Sequence, residues 1–248
     1  MAKKKKSVEI VIPIYNEEEE LETNVLKLRT FLIKNLTLYN WKITIADNAS
    51  TDGSLDIAKK LAKKFKRVGY FHLDQKGRGR AVKKVWQESH ADVSVYMDVD
   101  LSTDLRNLEP VVKSLLEGYD IAIGSRLLSQ SKVKRRPIKR EVLSRGYNIL
   151  IKLFFQTNFS DAQCGFKAVT RRTVKDLIPL IADNAWFFDS EMLILGEKLG
   201  YRIYEQPVLW VDNPGSTVRV LKTVYGDLEG LWRLFLTRPW NKLKHRRD

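Results

Sequence analysis

The sequence predicts an α/β protein on a doubly wound, mostly parallel sheet, and three observations carry that expectation. Short apolar runs at residues 8–12, 41–46, 68–73 and 93–97 alternate with stretches of helical period. The joints between run and helix hold polar and turn-forming residues, which is where such sheets place their sites, at the strand C-termini. Finally, 248 residues with 44% hydrophobic and 30% charged content suit one large domain with a full core.

Taken in order, residues 8–12 form the first strand, and Pro13, which lacks an amide hydrogen, is expected to end it. A helix over residues 17–34 follows, with Leu21, Val25, Leu28 and Leu32 on one face. The second strand, residues 41–46, runs into the turn Asp47-Asn-Ala-Ser-Thr-Asp-Gly53 and a helix over 54–66. Strand and helix recur at 68–73, 79–89, 93–97, 105–117 and 120–123. Past Gly124 the alternation stops. A basic loop through Arg140 leads to a helix over 141–156, then a mixture of short elements, and a closing amphipathic helix over about 218–236. No repeat or low-complexity linker divides the chain.

The single cysteine, Cys164, excludes an intrachain disulfide, and three scattered histidines leave a His/Cys zinc site without ligands. No run approaches the roughly 18 apolar residues of a membrane-spanning helix, and the lysine-rich start leads into no signal-peptide core. A cytoplasmic location is expected. The net charge of +14 lies in three clusters, residues 3–6, 132–140 and 238–248, leaving the rest balanced. Such clusters suit a polyanionic surface or substrate, and on charge alone anionic lipid and nucleic acid are both open.

Asp98 and Asp100 follow the apolar run 93–97. Two carboxylates at i and i+2 past a strand can face one divalent cation and the diphosphate it neutralises, which suits Mg²⁺ or Mn²⁺. Acidic pairs are common in loops; the place after a strand sets this one apart. Asp47 ends the second run in the same way, although Asp47 and Asn48 equally suit turn capping. Pro13-Ile-Tyr-Asn-Glu17 follows the first run. Gln75-Lys-Gly-Arg-Gly-Arg80 opens a helix with two glycines and three cations, which suits a diphosphate without matching a Rossmann or Walker pattern.

In this order the segments resemble the nucleotide-sugar half of inverting GT-A glycosyltransferases. Ile12-Pro-Ile-Tyr-Asn-Glu17 resembles their opening, Asp47-Asn-Ala-Ser-Thr-Asp52 their acidic loop with Asn48 and Ala49 as departures, and Asp98-Val-Asp100 their metal motif. Gly124-Ser-Arg126, Asp161-Ala-Gln-Cys-Gly-Phe-Lys167, Trp186-Phe-Phe-Asp-Ser-Glu191 and Pro207-Val-Leu-Trp210 are similar to the dolichyl-phosphate glucose and mannose synthases. The resemblance implies a GT-A domain over 1–217, with a nucleotide-sugar half at about 7–123 and an acceptor half at about 124–217, and an amphipathic basic C-terminal helix and tail over 218–248. It implies that Pro13, Tyr15, Glu17 and Asp47 hold the nucleoside, Lys76 and Arg78 the diphosphate, and Asp98 and Asp100 the metal. Ser102 stands where the mannose enzymes often carry a glutamine ligand. Arg126 would bind the acceptor phosphate, and Gln163 and Asp189 would face the sugar or reacting centre.

The residue inventory agrees with that chemistry. A phosphate monoester, with a second pKa near about 6, is largely a dianion at neutral pH. It needs cations to place it rather than a strong base. Arg126 with the cluster that includes Arg135, Arg136 and Arg140 offers them. Asp189 equally suits structural hydrogen bonding, and Cys164 reads as a packed loop residue. Val142, Leu143, Ile149, Leu150, Leu153, Phe154 and Phe155 suit core or an isoprenoid tail. The last helix, with Leu228, Leu231, Trp232, Phe235 and Trp240 ahead of basic residues, suits either packing on its own domain or an interfacial anchor. The expected function is metal-dependent inverting transfer of a hexose to polyprenyl phosphate at the cytosolic membrane face, with peripheral contact to anionic lipid. UDP-glucose is the first donor, ahead of GDP-mannose and UDP-N-acetylhexosamines. A transferase onto glycan or protein is one rival, although the Gln-x-x-Arg-Trp segment of processive synthases is absent. A nucleic-acid-binding module is the other, and it leaves Asp98 and Asp100 unexplained.

Overall fold

The expected alternation is present. The computed structural model describes residues 5–212 and 220–244. It runs β1 (Ser7–Ile14), α1 (Leu21–Asn35), β2 (Asn40–Asn48), α2 (Ser54–Lys64), β3 (Val68–Leu73), α3 (Arg78–Glu88), β4 (Val93–Met97), α4 (Leu108–Leu116) and β5 (Ile121–Ser125). The second half follows as β6 (Lys132–Lys134), α5 (Ile138–Phe155), β7 (Phe166–Thr170), α6 (Arg171–Asp176), α7 (Phe188–Lys198), β8 (Ile203–Pro207), β9 (Leu209–Val211), α8 (Val220–Thr237) and α9 (Trp240–Lys244).

Seven strands form one sheet in the order β3-β2-β1-β4-β7-β5-β8, while β6 and β9 pair apart from it. Every pairing in the large sheet is parallel except those of β7, which runs antiparallel between β4 and β5. The chain winds outward from β1 to β3 and then returns through α3 to β4 on the other side of β1. That reversal is the crevice in which doubly wound sheets bind ligands. Alternate residues serve two layers. Ile10, Ile12, Ile43, Val93 and Val95 face α1, α2 and α4, while Val11, Tyr96, Ile121 and Ile123 lie in the layer of α3, α5, α7 and α8.

One detail departs from the sequence reading. Pro13 does not end β1: it pairs with Ala46 of β2, and the strand continues to Ile14. On the β4 side, pairing stops at Val11 opposite Tyr96, so the missing amide hydrogen interrupts no ladder. Past Gly124 the regular winding stops as expected, yet the sheet grows further, because β7 inserts antiparallel between β4 and β5 and β8 joins beyond it. Residues Phe166, Ala168 and Val169 of β7 are buried on both faces and show no alternation.

The closing helix packs back on the body. Leu231 and Leu234 of α8 join the second core layer, and Gly230 abuts Phe187 so closely that a Cβ there would lie 2.2 Å from the ring. Trp240 of α9 is also buried, edge-on to Phe155 at 6.0 Å.

Candidate active site at the strand C-termini

The loops after β1, β2 and β4 bring Tyr15 and Glu17, Asp47 and Asn48, and Asp98 and Asp100 to one edge of the sheet. Each loop turns through one non-glycine residue in the left-handed region: Asn16 (φ 57°), Ala49 (φ 59°) and Leu101 (φ 50°). Such backbone costs about 1–2 kcal/mol per residue and persists only where its surroundings hold it.

At the β2 end, Asp47 is fully buried. Its Oδ2 lies 2.6 Å from His72 Nδ1, while Oδ1 is buried with no hydrogen-bond partner. A buried carboxylate oxygen of this kind calls for a donor. Asn48 Oδ1 accepts from the Gly77 amide at 2.6 Å, which ties the second loop to the glycine-rich one. Lys76 lies 4.1 Å over the Tyr15 ring and donates to its hydroxyl.

At the centre, the Arg78 guanidinium bridges Asp98 and Asp189, with Nη1 2.8 Å from Asp189 Oδ2. It is only 11% exposed, 4.8 Å from the Tyr96 ring and 5.1 Å from Trp186. Burial opposes its charge, and Asp98, Tyr96 and Asp189 outweigh that and raise it. Asp189 also takes the Tyr96 hydroxyl and lies 3.2 Å from the fully buried ammonium of Lys167. Two donors, Arg78 and Tyr96, and the nearby Lys167 charge thus fix one carboxylate.

Asp98 is held against a second loop, its amide donating to Gly165 O at 3.1 Å. A Cβ at Gly165 would stand 1.6 Å from Asp98 Oδ2, so only glycine lets residues 161–165 close on it. Asp100 accepts from the Ser102 amide at 2.9 Å and from its hydroxyl at 2.7 Å. Burial and then the charge of Asp98 push the Asp100 carboxyl up. Glu17 is pushed up to about 7, by burial first and then by Glu20, Asp100 and Asp98. Among the described residues no three His, Cys, Asp or Glu side chains form a metal cage. Two carboxylates completed by phosphate oxygens are nevertheless a common way to hold Mg²⁺.

On the other side of Asp98, Arg126 makes a two-pronged pair with Asp161, Nε to Oδ2 at 2.7 Å and Nη2 to Oδ1 at 2.8 Å. Burial acts to raise the Asp161 carboxyl, and Arg126 overcomes it, holding it down to about 2. Arg136 is 8% exposed; it lies 3.0 Å from Glu141, off the hydrogen-bond axis, so its buried Nη1 makes no bond. Burial, and then the charge of Arg126, pull its guanidinium below the ordinary value. Arg135 is exposed with φ 58°, and Arg140 pairs with Asp212 at 3.2 Å.

The structure therefore brings together Tyr15 with Lys76, Arg78 with Asp98 and Asp189, and Arg126 with Arg136, while Arg135 and Arg140 stand outside that pair. Pro13 is buried in β1 and serves the strand. Gln163 donates through Nε2 to Asp227 of α8 at 2.8 Å. Cys164 is a packed loop residue, its buried thiol pushed up to about 12. Sequence reasoning missed His72, Tyr96, Lys167, Asp161 and Asp227 as members of this network. Lys167 and Asp161 stood in a recognised segment; Asp227, in an apolar helix, carried no signal beyond being a charge on the wrong face.

Comparison with known proteins bears on the family and the fold. Residues 9–178 match the family model described as glycosyl transferase family 2. The chain is 36% identical over 237 residues to glycosyltransferase AglD of Haloferax volcanii, covering 94% of this chain and 38% of that protein. It is 33% identical over 225 residues to dolichyl-phosphate beta-glucosyltransferase ALG5A of Trichomonas vaginalis, covering 85% and 68%. Against the dolichyl-phosphate beta-glucosyltransferase of Saccharomyces cerevisiae it is 27% identical over 226 residues, covering 84% and 67%. The chain thus spans under two fifths of the length of AglD and about two thirds of the other two. Among solved structures, glucosyl-3-phosphoglycerate synthase from Mycobacterium tuberculosis superposes with a TM-score of 0.67 at 16% identity, covering 91% of this chain and 79% of that one. The same synthase in complex with Mn²⁺, uridine diphosphate and phosphoglyceric acid gives 0.66 at 16%, covering 95% and 78%. The fold is GT-A. With a switch-point crevice, acidic strand ends and a family match over most of its length, the chain belongs to glycosyl transferase family 2.

Proposed function

We propose that this protein transfers a hexose, glucose from UDP-glucose first, to the phosphate of a polyprenol, with inversion at the sugar. One observation carries the reading. Two carboxylates at the crevice, Asp98 and Asp100, stand within electrostatic reach of two buried guanidiniums: against burial, Asp161 first and Asp98 more weakly raise Arg126, and burial and then Arg126 lower Arg136. The first pair suits the donor diphosphate with its metal, and the second suits the acceptor phosphate.

Asp98 and Asp100 would hold Mg²⁺ or Mn²⁺, which when bound neutralises the leaving diphosphate. The buried, unpartnered Oδ1 of Asp47 fits the ring N–H of a uracil or guanine, and Tyr15 and Glu17 border the same crevice. Lys76 and Arg78 suit the diphosphate, and Arg78 already stands beside Asp98, the carboxylate that would hold the metal. The acceptor dianion needs no proton removed, so Asp189, held by Arg78 and Tyr96 beside the Lys167 ammonium, fits an orienting and electrostatic role rather than a base. The relatives named for dolichyl phosphate support a lipid acceptor, and the synthase complex with Mn²⁺ and uridine diphosphate supports the metal and the donor class. The expected place of action is the cytosolic membrane face. Among the described residues no helix is long and apolar enough to cross a membrane.

The test is a panel of radiolabelled UDP-glucose, GDP-mannose and UDP-N-acetylhexosamines with a short polyprenyl phosphate and Mg²⁺ or Mn²⁺. Formation of an acid-labile lipid-linked glucose is the expected result. Transfer only to a glycan or protein acceptor would overturn it.

A further inference from the structure

Asp227 sits on the inward face of α8, 3% exposed, among groups that give a carboxylate no support. The charged residues facing it are acids: Asp189 from α7 and Asp183 from the segment before it. From α5 comes Tyr147, whose hydroxyl donates to Ser190 at 2.8 Å and whose phenol is raised by burial and then by Asp227. No cation pairs with Asp227 among the described residues; its one hydrogen bond is from Gln163 Nε2. Burial first, then Asp189 and Asp183, push the carboxyl up to about 7. An apolar residue would seat α8 better, so packing alone gives no reason for an acid there.

Gln163 supplies the reason. An ionised carboxylate only accepts hydrogen bonds, so Asp227 fixes the amide with its nitrogen toward α8 and leaves Oε1 as the free acceptor. The loop that carries Gln163 clamps Arg126 through Asp161 at one end and abuts Asp98 through Gly165 at the other. Resting on the function proposed above, we infer that Asp227 is a positioning residue for sugar transfer: it orients the Gln163 amide so that Oε1 accepts a hydroxyl of the bound hexose, and it makes the seating of α8 a condition for a complete site. Protonated Asp227 could donate to Oε1 and turn the amide round, which presents a donor where an acceptor is needed.

Steady-state kinetics with UDP-glucose, Mn²⁺ and a short polyprenyl phosphate test this, beside calorimetric binding of UDP. Asp227→Ala is expected to lower kcat tenfold or more with UDP affinity within twofold of wild type. Gln163→Ala should lower it similarly, and the double variant should be no worse than either single one, because Asp227 acts through Gln163. Wild-type kcat should fall as pH drops through about 7, and Asp227→Asn, which does not titrate, should lose that limb while keeping part of the rate. Multiplying losses in the double variant, or an unimpaired Asp227→Ala, would overturn the inference and leave the function standing. If wild type makes no lipid-linked glucose, the function falls instead. The inference is then judged by ¹⁵N spectra of the intact protein. A Gln163 side-chain amide that shifts with pH near 7 in wild type but not in Asp227→Asn supports it, and one that does not shift ends it.

Discussion

At the residue scale the site divides into groups that a sequence can show and groups that it cannot. Asp47, Asp98 and Asp100 were legible because each ends an apolar strand, and strand ends in a doubly wound sheet share one edge. The Arg126–Asp161 and Arg78–Asp189 pairs were not, since partners 35 and 111 residues apart meet only through the sheet order. The Arg126 pair changes how the acceptor side must be tested. Arg126→Ala leaves Asp161 buried and unpaired, a loss of about 3–5 kcal/mol in stability, and lowers the melting temperature along with any activity. Arg136 is the cleaner probe. It repels Arg126 and has no hydrogen bond through Nη1, so Arg136→Ala should keep or raise the melting temperature while acceptor KM rises tenfold or more. An acceptor KM equal to wild type would remove Arg136 from the phosphate site. For the metal pair, Asp100→Asn should fold normally yet lose nearly all transfer and the metal-dependent part of UDP binding. Wild-type activity undiminished by EDTA would contradict it. Gly165→Ala should be as damaging for a steric reason, because the new Cβ cannot coexist with the Asp98 carboxylate.

At the element scale the amphipathic pattern of α8 was readable, but not which surface its faces would meet. Helical period tells that one face is apolar; it does not tell that the opposite register carries a buried acid and a glycine against Phe187. The seat of α8 gives a pH dependence of stability whose sign can be worked out. The Asp227 carboxyl has an ordinary value of 3.8 and about 7 in the folded protein. Between these the folded state holds the extra proton, so stability is fully present below about 3.8 and is lost as pH rises through about 7. The metal-free melting temperature should therefore fall from pH 5 to pH 8. Asp227→Asn should flatten that fall, and Glu17, shifted in the same direction, should leave a residual slope. A wild-type profile that rises over this interval would show Asp227 to be ionised at little cost. Gly230→Leu should unseat the helix, since overpacking costs about 1–3 kcal/mol, and should reduce transfer more than UDP binding.

At the scale of the whole molecule, α5 and α8 present one apolar surface on the side away from the core. Leu153 is 72% exposed and Trp232 58%, with Ile138, Val142 and Leu236 also outward. Phe154 meets Phe235 edge-on at 5.3 Å, which joins the two helices into a continuous face. Lys139, Arg145 and Lys152 on α5 are exposed beside it. The sequence reading left the last helix and its basic tail as either packed on the domain or an interfacial anchor; Trp240 is part of the core, so a deletion from Arg238 would damage the fold. The structure moves the test to exposed side chains of α5 and α8. If this face rests on a membrane, Trp232→Ser with Leu153→Ser should cut binding to vesicles containing anionic lipid by tenfold or more. Each such side chain contributes roughly 1.5–3 kcal/mol when fully transferred from water, and partial immersion at an interface realises a fraction of it. Raising salt from about 0.1 M to 1 M shortens the Debye length from about 10 Å to 3 Å and should weaken what the lysines and arginines contribute, additively with the double substitution. Metal-dependent UDP binding in solution should be unchanged, because neither side chain touches the crevice. Equal vesicle binding by the double variant and wild type would show that this face does not meet lipid, and a parallel loss of UDP binding would show that the substitutions had disturbed the fold.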